Sequence, residues 1–489
     1  MHALPSNPLL YQINTRVLLR AMSTRLGRRA TFDDVPDAAL AALRALGVDW
    51  VWFLGVWRTD AAGRAISRSN PAWQPQFHAA LPDLTEDDIT GSPFAIAGYQ
   101  AESGLIGDAA LARLRARANQ AGLRLMLDFV PNHMAPDHPW VSERPELFVR
   151  GTEADLAAAP ENWIKVGDQV FAHGRDPYFP GWVDTVQLDY ANPDTQTAMS
   201  DMLLSVAGRC DGVRCDVAML LLPDVFERTW SAELAGRTVP DFWPGAIART
   251  RQAHPEFKLL AEVYWGLDRR LIADGFDWAY DKALYDALLA GEAGQVRALL
   301  SADQAMQRTM ARFLENHDEA RAAAAFDWKT HQAAALLAFA APGLRFLHQG
   351  QLEGMRVHIP IHLDRGPDEP VDEAVLAFYR TLLAVLAEPA LRDGRYQPIA
   401  PGPAWDGNAS HRQFVAALWS GESGPAYLLV VNYGPDRGQC RLHVPLGEGT
   451  VSLTDRLGSE TYERDRREIE TDGLYVDQLG WGHNLFALG

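Results

Sequence analysis

From residue 9 to about residue 390 the chain repeats one rhythm. A short, nearly unbroken apolar run is followed by a longer stretch whose apolar residues recur every three or four positions. The first pattern suits a strand buried on both faces, the second a helix with one buried stripe. The runs are LLYQINTRVLL (9–19), VDWVWFLGVW (48–57), LRLMLDFV (123–130), DGVRCDV (211–217), FKLLAEVYW (257–265), FDWAYD (276–281), ARFLENHD (311–318) and LRFLHQG (344–350). Amphipathic stretches such as PDAALAALRALG (36–47), GDAALARLRARANQAG (107–122) and TQTAMSDMLLSVAG (195–208) lie between them. Eight such strands alternating with helices predict an α/β fold, a (β/α)8 TIM barrel.

Two segments break the rhythm. Residues 58–106 and 134–188 lack a long helical pattern, and the second is rich in Pro, His, Trp and Gly. Both follow strands, on the barrel face where active sites are built, and long irregular segments there are usually functional. After about residue 392 the pattern shifts to short strands (RQFVAALWSG, AYLLVVNYG, QCRLHVPLG, TVSLTDRLG) separated by Gly, Pro and Asn turns. These predict an antiparallel β-sandwich. The expected domains are a barrel over 1–133 and 189–392, an inserted segment over 134–188 after the third strand, and a C-terminal β domain over 393–489.

Charge narrows the partners. Sixty-three Asp and Glu against 45 Lys and Arg give a net charge of −18. That repels phosphate backbones and anionic lipid, so neither nucleic acid nor a membrane is an expected partner. No apolar stretch has the length of a membrane span, and MHALPSNPLLYQINTRVLLR lacks the features of a signal peptide. Cys210, Cys215 and Cys440 read as buried free thiols, so the expected compartment is the cytoplasm.

The chemistry gathers at the C-terminal ends of the predicted strands. The third ends in DFVPNH with Asp128, Asn132 and His133, and the fourth carries Arg214 and Asp216. The fifth carries Glu262, and the seventh ends in Asn316, His317 and Asp318. In a barrel these ends share one pocket. Three carboxylates around one arginine suit glycosidic-bond chemistry, which pairs a carboxylate nucleophile with a carboxylic acid. Asp216 is short and fixed at a strand end, and Arg214 lies on the same face two positions away, able to keep it ionised. Glu262, in the apolar context AEVYW, should have a raised pKa and serve as the acid. Asp318 would favour a positively charged transition state and bind sugar hydroxyls.

Other groups have plainer readings. Asp211 reads as a strand-entry residue, and Asp128 lies too deep in its strand to react. Cys215 faces away from Arg214 and Asp216. His358 and His362 flank a proline and read as loop histidines rather than a helical metal pair. Trp140, Trp163 and Trp182 are candidate sugar platforms, and YERDRREIE (462–470) reads as a solvated face.

DFVPNH, GVRCD, AEVYW and FLENHD resemble the four short motifs of the α-amylase superfamily of retaining glycoside hydrolases, in the family's order and on the expected strands. VQLDYANP (186–193) and LRFLHQGQLEG resemble two further motifs. The resemblance implies Asp216 as nucleophile, Glu262 as general acid/base and Asp318 as transition-state stabiliser. Arg214 would orient the nucleophile, while His133 and His317 would bind the sugar at the cleavage subsite. Asp128 and Asn132 would support the loop behind them. Phe94 or Tyr99, in GSPFAIAGYQ, would supply the aromatic platform under the sugar, Phe94 fitting the family spacing better.

Two departures bear on activity. Met219 and Leu220 stand where many amylases carry a Lys-His pair on the leaving-group side, so the aglycone subsite must be built differently. Gln187 stands where an aspartate would ligate the structural calcium of secreted amylases, so no cofactor and no obligatory calcium are expected. The expected activity is hydrolysis of α-glucosidic bonds in short α-glucans or related oligosaccharides. Transglycosylation or isomerisation would use the same residues. A catalytically silent, glucan- or protein-binding relative is the rival from another class, and the presence of all three carboxylates weighs against it.

Overall fold

A computed structural model describes residues 4–102, 107–422 and 424–489. Its centre is a closed barrel of eight parallel strands: β1 Leu9–Asn14, β2 Trp50–Leu54, β3 Arg124–Phe129, β4 Gly212–Cys215, β5 Lys258–Ala261, β6 Trp278–Tyr280, β7 Met310–Arg312 and β8 Leu344–His348. Each pairs with its neighbours in sequence, and β1 closes the ring against β8. All eight predicted apolar runs supply a barrel strand. The barrel is walled on both faces, so strands such as β2 and β3 are buried at every position.

The structure trims several of these runs. The first is a strand only to Asn14, and Thr15–Leu26 is a helix. Asn14 caps that helix by accepting from the Val17 N–H at 3.3 Å, a preference of asparagine that ends the strand within an apolar run. The second run breaks at Gly55, whose φ of 81° turns the chain out of the barrel. Beyond it Trp57–Arg58 pairs antiparallel with Gly98–Ala101.

The segment 58–106 contains two short helices, Ala61–Ser69 and Gln74–Ala80; its last four residues lie outside the described residues, as do the first three residues of the N-terminal stretch read above. The segment 134–188 folds around a three-stranded sheet of Arg150–Gly151, Gln169–Ala172 and Trp163–Val166. It is pinched off at its base where Val186–Gln187 pairs antiparallel with His133–Met134. The plain readings of other groups fit their surroundings. Asp211 accepts from Arg115, Asn119 and the Leu125 N–H at the entry to β4, and the three cysteines are buried and free.

Beyond the barrel, Arg395–Ile399, Phe414–Ser420, Ala426–Asn432, His483–Leu488, Thr450–Asp455 and Thr461–Asp465 form a six-stranded antiparallel sheet, in that spatial order. A three-stranded sheet of Gly402–Pro403, Gly438–Leu442 and Leu474–Gln478 completes the region. The four strands expected here are present, together with others whose runs are too short or too polar to stand out. The charged stretch 462–470 falls in the exposed edge strand Thr461–Asp465 and the helix Arg466–Thr471. The strand period of two divides the larger sheet. Phe414, Ala416, Leu418, Leu428 and Val430 pack with Cys440, Leu442 and Val476 of the smaller sheet, whereas Val415, Ala417, Trp419, Tyr427, Leu429 and Val431 join the barrel's own core. Trp419 Nε1 donates to Ala340 O at 2.7 Å and Tyr433 Oη to Leu288 O at 2.6 Å, stitching sheet to barrel. Among the described residues no helix is long and apolar enough to cross a membrane.

Candidate active site

The barrel register assembles the site. Arg214 pairs with Leu260 and Cys215 with Ala261, so the next residues out, Asp216 and Glu262, stand side by side beyond adjacent strand ends. Arg214 lies on the inward face and is wholly buried. Its Nη1 donates to Asp216 Oδ1 at 2.5 Å, its Nη2 lies 2.6 Å from Glu262 Oε2, and its Nε donates to Tyr280 Oη at 3.3 Å. The rings of Phe94 and Trp52 face the guanidinium at 5.1 and 5.5 Å. One planar fork thus holds two carboxylates, which a lysine could not do.

Glu262 is held from further sides. Val217 N–H donates to Oε2 at 2.6 Å and Tyr264 Oη to Oε1 at 2.9 Å. To point its N–H at Glu262, Val217 adopts φ 38°, a left-handed conformation that costs a β-branched residue roughly 1–3 kcal/mol. The strain sits directly after Asp216.

Asp318 completes the set. Asn316 Oδ1 accepts its backbone N–H at 2.8 Å, and its Oδ2 lies 3.1 Å from His317 Nε2. Gln12 Nε2 contacts His317 Nδ1 at 2.8 Å; with the amide donating there, the ring proton sits on Nε2, which lies near Asp318 without hydrogen-bonding to it. Burial, then the charge of Arg214, holds the His317 pKa well below its ordinary value. Burial likewise lowers His133 to about 3, so both rings are neutral at pH 7.

Burial raises the pKa of both Asp216 and Glu262, and the charge of Arg214 opposes it. Enclosure, then the charge of Glu262, raises Asp318 to about 8. The Asp318 side chain is still 41% exposed to the cavity, and water there moderates the shift. Three carboxylates around one cation titrate as a unit.

The pocket over this cluster encloses about 420 Å³ and includes Phe94, His133, Asp216, Glu262 and Asp318 in its lining. Tyr99 is not part of it. Its hydroxyl donates to Val130 O and accepts from Val130 N–H, both at 2.9 Å, and its ring packs on Trp57 behind the strand ends. Pairing of Gly98–Ala101 with Trp57–Arg58 carries Tyr99 there. Asp128 also lies behind the pocket, accepting from Trp52 Nε1 at 3.0 Å and Gly55 N–H at 2.9 Å. Of the three candidate platforms only Trp182 reaches the pocket. Trp163 is buried against Gly151, and Trp140 packs on His138 and Arg144.

Sequence reasoning missed Trp73, Phe179, Tyr264 and Trp265, which line the same cavity. Phe179 is 68% and Trp265 42% exposed at its mouth, where Trp265 meets Tyr178 edge-on. Tyr264 and Trp265 are the last two residues of the AEVYW motif and could have been read from that proximity to Glu262. Trp73 and Phe179 sit in loops with no periodic signal. Met219 lines the pocket, whereas Leu220 is buried outside it.

Asn132 and Gln187 face each other as an amide pair. Asn132 Nδ2 donates to Gln187 Oε1 at 3.1 Å, and Gln187 Nε2 donates to Asn132 O and Oδ1 at 2.9 and 3.1 Å. The Asn132 oxygens are thus occupied by N–H donors, and no carboxylate takes part. This donor set does not fit a calcium ion, which is held by several oxygens, some of them anionic. Among the described residues no group of three or more His, Cys, Asp or Glu side chains could hold a metal.

Known proteins agree with this architecture. The family model for the α-amylase catalytic domain matches residues 96–273. The α-amylase MalA of Haloarcula japonica is 25% identical over 334 residues, covering 66% of this chain and 42% of that protein. An α-1,4-glucan:maltose-1-phosphate maltosyltransferase of Burkholderia pseudomallei is 28% identical over 264 residues, 53% of this chain and 20% of that one. Both matches span less than half of the relative's own length. In three dimensions a maltogenic α-amylase, AmyB, of Thermotoga neapolitana overlays 99% of this chain on 98% of its own, with a TM-score of 0.69 at 18% identity. The strand-end motifs, the closed barrel that brings them together and the catalytic-domain match over residues 96–273 agree: this barrel region resembles the catalytic domain of the α-amylase family.

Proposed function

We propose that this protein is a retaining glycosidase that cleaves α-glucosidic bonds of short α-glucans or related oligosaccharides. The observation that carries the reading is Arg214 holding Asp216 and Glu262 at 2.5 and 2.6 Å. Two carboxylates gripped by one guanidinium lie close together, which supports a double displacement, whose carboxyls stand about 5–5.5 Å apart, over an inverting reaction, whose carboxyls stand about 6.5–9.5 Å apart to admit a water. Asp216 attacks the anomeric carbon while Glu262 gives its proton to the departing glycosidic oxygen, leaving a glycosyl–Asp216 ester. Glu262, now ionised, takes a proton from the incoming water or sugar hydroxyl as that oxygen attacks, and Asp216 is released. Asp318, with His317 and His133, binds the sugar hydroxyls, and Phe94 lies against the ring.

Transfer to a sugar in place of water is the second reading. Phe179, Trp265 and Tyr178 favour it, because aromatic faces at the mouth can seat an acceptor sugar ahead of water. The maltosyltransferase likeness supports it too. Product analysis on maltose through maltoheptaose, sucrose, trehalose and isomaltose separates the two. Shorter sugars alone are expected for hydrolysis, and longer or rearranged sugars for transfer. No change in any of these substrates would overturn both.

The Asn132–Gln187 amide pair supports activity without calcium. Chelation with EDTA is expected to leave turnover and the thermal midpoint unchanged, and a marked fall in either would refute that reading.

A further inference from the structure

A second cavity of about 450 Å³, separate from the catalytic pocket, is lined by Arg16, Arg20, Arg29, Arg64 and Arg68 with Asp87, Glu102 and Asp364. Five arginines against three carboxylates make it a net positive site on a chain of net charge −18. Clustered like charges repel, and an arrangement not neutralised from within the protein is one an anion can neutralise.

The floor is built and the rim is free. Arg16 is buried, donating from Nη1 to Gly91 O at 2.6 Å and from Nη2 to Thr59 Oγ1 at 2.9 Å. These bonds are to neutral groups, and the charges of Glu102 and Asp364 partly offset that of Arg16. Arg68 donates Nε to Ile89 O at 3.3 Å, again a neutral partner, and Arg20 comes only within 3.8 Å of Asp88. Among the described residues the guanidinium groups of Arg29 and Arg64 have no ion-pair or hydrogen-bond partner. Asp364 offsets less charge than its formal count, because burial raises its pKa to about 6. The Asp364 Oδ1 atom is buried without a partner and can accept from a hydroxyl or a protonated oxyanion.

Several guanidinium groups converging on one cavity can meet the three oxygens and double charge of a phosphoryl group together, more than the two oxygens of a carboxylate or a lone halide can engage. The volume exceeds what one inorganic ion fills and suits a small phosphorylated molecule. We propose that this cavity binds a phosphoryl dianion, either free or carried on a small sugar. Asp87 and Glu102 in the lining disfavour nucleic acid, whose continuous run of phosphates would meet them, and supply acceptors for hydroxyl groups beside a single phosphate.

The wall is shared with the catalytic pocket. Arg16 holds Gly91 O, the Thr90 N–H donates to His362 O at 2.9 Å, and the His362 ring stacks on Trp73 in the catalytic pocket at 4.2 Å. The two cavities are nonetheless chemically distinct, one built of carboxylates and aromatic rings, the other of arginines.

Isothermal titration at fixed ionic strength with inorganic phosphate, glucose 6-phosphate and glucose tests the proposal. Saturable binding is expected for the two phosphates and not for glucose. Tighter binding of glucose 6-phosphate would identify a sugar-borne phosphoryl group, and equal or tighter binding of phosphate the free ion. The double variant Arg64→Gln/Arg68→Gln should weaken binding roughly 10- to 100-fold, and Arg29→Gln alone about tenfold, with thermal midpoints confirming that each variant is folded. Absence of saturable binding by either phosphate up to about 10 mM, or unchanged affinity in the folded double variant, would overturn it.

Discussion

Replacing Asp216 by asparagine is expected to lower turnover by roughly a thousandfold or more while leaving the fold intact. The amide has nearly the shape of the carboxylate, and its oxygen can still accept from Arg214 Nη1. It cannot form the glycosyl ester. Stability should hold or rise, because the substitution removes one of three like charges from a site where burial already disfavours the anion. Turnover on maltotriose and a thermal melt on the same preparation check both halves. Near-normal turnover in the folded variant would remove Asp216 from the mechanism.

The second large effect is expected at Arg214. The Arg214→Met variant keeps much of the side-chain volume but removes the cation that touches both Asp216 and Glu262. Loss of one partner from a buried ion cluster typically costs about 3–5 kcal/mol. Its charge lowers the pKa of both carboxylates, so its removal raises both. Asp216 must be ionised to attack, so the acid limb of the kcat/KM profile moves to higher pH. Glu262 must be protonated to act as acid, so the alkaline limb moves the same way. The optimum should shift alkaline by about a unit, with activity at neutral pH down roughly 100-fold. Stability carries the same sign. Carboxyls whose folded pKa lies above the unfolded values of 3.8 and 4.5 contribute fully below those values and lose that contribution as pH rises through the folded values. The variant's deficit in thermal midpoint should therefore be smallest near pH 4 and grow toward neutrality. A pH profile that stays in place would contradict the charge argument.

The barrel was legible because its strands are buried and mostly apolar on both faces and carry their signal in consecutive letters. Asp216, Glu262 and Asp318 were legible because charged residues at the ends of such runs need a reason to be there. The second grip of Arg214, on Glu262, was not. It depends on the β4–β5 register, and register between strands joined by a long crossover leaves no local trace. The choice between Phe94 and Tyr99 turned on a short pairing of Gly98–Ala101 with Trp57–Arg58, too brief to show a period. Trp73 and Phe179 reach the pocket only through the path of irregular loops, which composition does not describe. The split of the first apolar run rested on one residue, Asn14, whose capping preference outweighed the apolar residues on either side.

The six-stranded sheet, one face against the smaller sheet and the other against the barrel, has a consequence for how the chain is made. Its strand His483–Leu488 lies between Ala426–Asn432 and Thr450–Asp455, yet it leaves the ribosome after both. Until it arrives, the nascent protein presents two facing rows of unpaired backbone groups, with the apolar side chains of Leu428, Leu429, Val430 and Val431 flanking the gap. The same strand from a neighbouring copy fits that gap as well as the chain's own, so synthesis that stalls before residue 483 at high local concentration favours exchange of this strand between copies.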